Sequence, residues 1–167
     1  MLVLDKSILN KVCLPVNFSR PRDNLRLAQQ LYQTMRQESG IGLAANQVGI
    51  DARLFVMFVD RRVYHCFNPE IITASEQCST QNEGCLSFPK EFISIARPER
   101  ILVKYQDAYG NQNECWLLGL AARCFQHELD HLNGITMHER QIGVNSAAGG
   151  DPYKIESIGL NSVLPTK

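Results

Sequence analysis

Gln126-His127-Glu128-Leu129-Asp130-His131 is the stretch from which the rest of the chain can be read. His127 and His131 are four residues apart, so on an α-helix both imidazoles lie on one face, close enough to bind one metal ion, with Glu128 beside them as an acid/base. The flanking sequence supports a helix. Leu120, Ala121, Cys124, Phe125, Glu128, Leu129 and Leu132 recur at helical intervals over residues 119–133, and Gly134 suits the C-terminal cap. Only 4 histidines occur in 167 residues, so a chance match to this pattern is rare, and a catalytic metal site is the leading expectation.

Two histidines leave such a site one ligand short, because catalytic sites usually take three protein ligands and keep one position open for water. The candidates for the third are Cys85, the other cysteines, His138 and a carboxylate. Cys124 shares a helix face with His127, Glu128 and His131. Three donors on one helix would leave little of it apolar, so a ligand from elsewhere is preferred.

Outward from that helix, strands at 100–105 and 114–118 flank the turn-rich Asp107-Ala108-Tyr109-Gly110-Asn111 and read as a hairpin. A second hairpin joins the apolar runs 53–59 and 63–67 through Asp60-Arg61-Arg62. Asn68-Pro69 is expected to break that run before a new strand at Ile71-Ile72-Thr73, and the polar stretch 75–82, with an incidental thiol at Cys78, to loop over the surface. Glu83-Gly84-Cys85-Leu86-Ser87-Phe88-Pro89 punctuates the chain before a strand at 92–96. Leu25, Ala28, Leu31, Tyr32 and Met35 mark an amphipathic helix over 23–38 with Gly40 at its cap, and residues 1–20 read as an extended arm. Ile135-Thr136-Met137 is expected to add a strand. Residues 140–167 read as a loosely packed tail, with an apolar docking segment around Ile158, Leu160 and Val163.

Gly40-Ile41-Gly42-Leu43-Ala44-Ala45 fits the dinucleotide pattern G-x-G-x-x-A, but that fingerprint needs a strand before its glycines and a helix after them, the reverse of the order here. Closely spaced glycines also let backbone approach a ligand, and Gln47 offers an amide donor at the same place.

Seventeen basic residues balance 17 acidic ones, for a net charge of +0, which argues against sequence-specific nucleic-acid binding or an anionic membrane surface. No run approaches the roughly 18 apolar residues of a membrane span, and the first residues lack a signal peptide's apolar core. The 6 cysteines include no close pair, so reduced thiols in a cytoplasmic compartment are expected. The length fits one domain over 1–167.

Three motifs in order, Gly40-Ile41-Gly42-Leu43-Ala44-Ala45-Asn46-Gln47, Glu83-Gly84-Cys85-Leu86-Ser87 and Gln126-His127-Glu128-Leu129-Asp130-His131, resemble the signature of the peptide deformylases. The resemblance extends from about Leu25 to Met137. It implies an α+β fold: one compact domain with antiparallel or mixed sheets packed around the motif helix, besides the N-terminal amphipathic helix. It also implies removal of the N-formyl group from the initiator methionine of nascent polypeptides, by a monomer with ribosome association as a further expectation.

By motif position, Cys85, His127 and His131 would hold the metal and Glu128 would be the acid/base. Gln47 and the backbone N–H of Leu86 would bind the developing oxyanion. The resemblance implies Fe²⁺ as the ion, with Zn²⁺, Ni²⁺ or Co²⁺ as substitutes. Gly40, Ile41, Gly42 and Leu43 would pair with the substrate backbone, Phe125 and Leu129 would line a methionine pocket, and Arg97 would contribute to peptide binding. This chain departs from many members in carrying Lys90-Glu91-Phe92 where further basic residues often follow the cysteine motif, and in lacking a long charged C-terminal helix.

Two other readings compete. A peptide-bond metalloprotease also uses H-E-x-x-H, but generally takes His or Glu, not Cys, as third ligand. A structural metal module would need four closed ligands, and these motifs offer no fourth.

Overall fold

The computed structural model describes residues 6–145. Its elements in chain order are α1 (Lys6–Leu9), α2 (Pro21–Gln37), β1 (Gly42–Ala44), a 3₁₀ turn (Ala45–Val48), β2 (Leu54–Val59), β3 (Arg62–Ala74), β4 (Cys78–Cys85), β5 (Phe88–Pro98), β6 (Arg100–Gln106), β7 (Gln112–Leu118), α3 (Gly119–Leu132) and α4 (Met137–Asn145). Five strands form one antiparallel sheet in the order β1-β2-β3-β6-β7, and β4 and β5 form a separate two-stranded sheet. The α+β architecture expected from the sequence is the one observed.

The continuous apolar run of β2 has a simple cause: both faces of the strand are covered. Phe55, Met57 and Val59 pack with Ala121, Cys124, Phe125 and Leu129 of α3. Leu54 and Val56 point the other way, to Ala28, Leu31 and Met35 of α2. A strand alternates its side chains, so one buried between two helices must be apolar at every position. Fixed between α2 and α3, the sheet holds the motif helix in place. A third, smaller cluster of Leu9, Phe88, Ile95 and Met137 joins α1 and α4 to β5.

The hairpin turn at Asp60-Arg61 is observed with both residues at positive φ, 52° and 61°, the geometry whose twist suits a two-residue hairpin. Several local expectations are corrected. Asn68-Pro69 does not end a strand: β3 runs through it as a bulge, with Asn68 at φ 47°. The Asn68 side chain accepts the Val16 N–H at 2.8 Å and donates to the Val16 carbonyl at 2.9 Å, and these bonds stabilise the kink. The polar stretch expected to loop is β4, paired with β5 from Cys78↔Pro98 onward and polar because its outer face meets solvent. The arm contains the short helix α1. Ser39, at φ 59°, is the left-handed residue after α2, whereas Gly40 gives room to Leu86, whose Cδ1 would stand 2.7 Å from a Cβ there.

Thr136 starts no strand. Its N–H and Oγ1–H both donate to Glu139 Oε2, at 2.7 and 3.1 Å. This caps α4, and the Thr136-Met137-His138-Glu139 spacing signals it in sequence. The rest of the expected tail, with Ile158, Leu160 and Val163, lies outside the described residues.

Candidate active site

Cys85 is the last residue of β4, followed by the two-residue turn Leu86-Ser87 and by Phe88, its partner across the hairpin. That turn aims the thiol at α3. Ligand atoms of Cys85, His127 and His131 all lie within 4.8 Å of one another, and Cys85 Sγ is 3.2 Å from His131 Nε2. Among the describable side chains this is the one grouping of His, Cys, Asp and Glu that could hold a metal ion.

The donor set fits such an ion. One potential thiolate and two imidazoles converge on a point, and Glu128 Oε2 is buried with no hydrogen-bond partner. Buried polar atoms normally find one.

The two ligand-bearing elements are joined by buried charge. Glu83, two residues before Cys85, accepts from Arg97 Nε at 2.6 Å and Nη2 at 2.8 Å, from Arg123 Nη1 at 2.6 Å, and from His127 Nδ1 at 2.9 Å. Arg97 Nη1 also donates to Asp130 Oδ2 at 2.7 Å, and Arg140 Nε reaches the same oxygen at 3.0 Å. Burial alone would raise the Glu83 pKa, but Arg97 and His127 outweigh it and hold the carboxyl well below its usual range. An ionised carboxylate only accepts, so the His127 proton sits on Nδ1 and Nε2 is left for a metal. Carboxylate, histidine and ligand position are thereby coupled.

Burial pushes the Glu128 carboxyl up to about 7, which suits a group that must both take and return a proton near neutral pH. Burial also pushes His131 down to about 3, keeping it neutral and able to coordinate. For His127 burial acts downward too, but the Cys85 and Glu83 hydrogen bonds and the Glu128 charge outweigh it and raise the imidazole, so a metal ion at Nε2 would displace a proton there while Glu83 keeps the one on Nδ1.

A cleft of about 570 Å³ opens over this point. Gly40, Ile41 and Gly42 line one side, Gly84, Cys85 and Leu86 the other, and Cys124, His127 and Glu128 lie in α3. Only glycine fits at position 42, where a Cβ would collide with the Glu128 carboxylate and lie 2.8 Å from Cys124 Sγ. Gln47 is fixed by its own amide: Oε1 accepts the Ala44 N–H at 2.9 Å, which turns Nε2 toward Ser87 Oγ at 3.1 Å and Cys85 Sγ at 3.5 Å.

Of the residues expected at the site, Gln47, Cys85, Leu86, His127, His131 and Glu128 come together, and Gly40, Ile41 and Gly42 line the cleft. Three expectations are corrected. Arg97 is 2% exposed, and its guanidinium is taken up by Glu83 and Asp130, so it cannot reach a peptide. Phe125 and Leu129 face the sheet instead of the cleft, Phe125 meeting the Phe55 ring edge-on at 5.0 Å. Leu43 buries its side chain toward α2, and its backbone lies in β1, the edge strand of the sheet.

Sequence reasoning gave no role to Glu83 or Arg123 and read Asp130 as a spacer or outer support. Their partners lie on β4, β5, α3 and α4, and no local periodicity signals such a meeting.

The family model described as polypeptide deformylase matches residues 1–146. The peptide deformylase of Thermotoga sp. (strain RQ2) is 44% identical over 139 residues, which cover 83% of this chain and 84% of that protein. The crystal structure of peptide deformylase from Thermotoga maritima matches with a TM-score of 0.76 at 44% identity, over 80% of this chain and 90% of that one. A Met-Ala-Ser-bound class I type b peptide deformylase from Acinetobacter baumannii matches with a TM-score of 0.76 at 34% identity, over 80% and 92% of the two chains. Sharing sequence along most of its length and a backbone that follows theirs, this chain belongs to the polypeptide deformylase family.

Proposed function

We infer that the cleft hydrolyses the N-formyl group from the N-terminal methionine of new polypeptides, with Cys85, His127 and His131 holding one divalent metal ion. The observation that carries this reading is the convergence of Cys85 with the two histidines beside the unpartnered Glu128 Oε2. An ion in such a site supplies a water acidic enough to yield hydroxide near neutral pH, and polarises the carbonyl under attack.

The protein's own groups do the rest. Glu128 takes the proton of the attacking water and returns it to the departing amine, releasing formate and a free N-terminus. Gln47 Nε2 and the Leu86 N–H donate to the oxyanion that develops on the formyl oxygen, and Gln47 is already turned toward Cys85 by its bond from Ala44. The backbone from Gly40 to Leu43, which leads into the edge strand β1, receives the peptide backbone, as in strand addition. The methionine side chain goes to the cleft interior by Leu120 and Cys124, both of which line it, and not to Phe125 and Leu129.

Fe²⁺ is proposed as the resident ion, with Zn²⁺, Ni²⁺ or Co²⁺ able to replace it, since a thiolate with two imidazoles suits all of them. A cytoplasmic reaction on chains leaving the ribosome is part of this proposal, and a monomer suffices because every proposed site residue comes from one chain. Among the described residues no helix is long and apolar enough to cross a membrane.

The test is formate release from a formyl-methionyl peptide under anaerobic conditions, with metal analysis on the same sample. Stoichiometric metal and formate release are expected. No formate with any of the four ions would overturn the reading.

A further inference from the structure

Among the described residues no large apolar side chain is more exposed than Phe92, at 72%. Single exposed apolar side chains are ordinary. Phe92, however, lines the cleft together with Ile41 and Leu120, which are 44% and 53% exposed. Three such groups around one opening form a patch of the kind that marks a binding surface.

The ring is held in place. The hairpin register sets Phe92 opposite Gly84, and the next pair is Cys85↔Phe88, so Pro89, Lys90 and Glu91 form a bulge within β5. A Cβ at Gly84 would lie 3.0 Å from Phe92 Cε1, so the ring rests against bare backbone. The bulge is fastened to α4: His138 Nε2 pairs with Glu91 Oε2 at 2.8 Å, and the His138 ring meets Phe88 at 4.7 Å. Charges at the opening are of both signs, with Glu38, Lys90 and Glu91 all lining it.

We propose that Phe92, with Ile41, is a specificity-determining residue that favours nascent chains carrying apolar side chains in the two positions after the formylmethionine. The proposal rests on the deformylase reading. Gly84 precedes Cys85 by one strand residue, about 3.3 Å of chain. An extended peptide whose formyl group lies at Cys85 therefore leaves along the cleft beside the Phe92 ring within its next residues.

The test compares formyl-Met-Leu-Leu with formyl-Met-Ser-Ser on the metal-loaded enzyme. We expect kcat/KM for the leucine peptide to exceed that for the serine peptide about tenfold in the native protein, mainly through KM. The ratio should fall to about twofold in Phe92→Ser and recover in Phe92→Leu. Because each ratio is internal to one protein, a partly inactive preparation does not distort it. An equal ratio in the native protein and Phe92→Ser, or a native ratio near one, overturns the proposal while leaving deformylation intact. Formate from neither peptide overturns the deformylase reading and this inference with it.

Discussion

The Glu83 carboxylate and the His127 imidazole meet at 2.9 Å between β4 and α3. This bond joins the strand that presents Cys85 to the helix that presents both histidines. Removing its charge while keeping its shape, in Glu83→Gln, leaves His127 less firmly oriented and Arg97 and Arg123 without their shared anion. Dialysis against chelator followed by metal analysis should show affinity lowered about 10–100-fold. Metal retention equal to the native protein would show that the bond does not orient the ligand.

Arg97 is the buried centre of the same network, 2% exposed between Glu83 and Asp130. Arg97→Leu removes the cation shared by two buried carboxylates, leaving Glu83 to Arg123 and His127 and Asp130 to Arg140, and should cost about 3–5 kcal/mol in denaturant unfolding. A peptide-binding arginine would instead raise KM and leave stability alone.

Glu128→Gln preserves volume and removes the group that carries the proton. The variant should fold and keep its metal, yet lose about 10²–10⁴-fold in formate release. Full activity on a formyl-methionyl peptide would refute the acid/base role.

Cys85→Ser replaces a soft thiolate with a hydroxyl beside two imidazoles. Weaker metal binding or a changed metal preference is expected, read by metal analysis after reconstitution with each ion. Unaltered binding and preference would remove Cys85 from the ligand set.

Gly42→Ala drives a methyl group into the Glu128 carboxylate and to 2.8 Å from Cys124 Sγ. Overpacking of this kind costs about 1–3 kcal/mol, and activity should fall with it because Glu128 is displaced. A variant with native stability and native kcat would show that β1 can yield at this point.

What the sequence by itself determined is what repeats locally. The helical intervals around His127 and His131, the apolar run of β2 and the turn at Asp60-Arg61 each follow from side-chain period or backbone preference within a few residues, and each is observed. Motif resemblance added Cys85 and Gln47, which no period marks. Local rules failed where pairing overrode composition: β4 is a polar strand because β5 is beside it, and β3 passes through Asn68-Pro69 because Val16 and Gln106 bind the Asn68 side chain. Only the tertiary structure decided the roles of Arg97, Glu83 and Asp130. A charged residue reads as solvent-facing from sequence, and it becomes a buried clamp only when its partners arrive from 14 and 33 residues away. The same holds for Phe125 and Leu129: helical period shows that they are apolar, but only the position of the sheet decides whether they meet core or substrate.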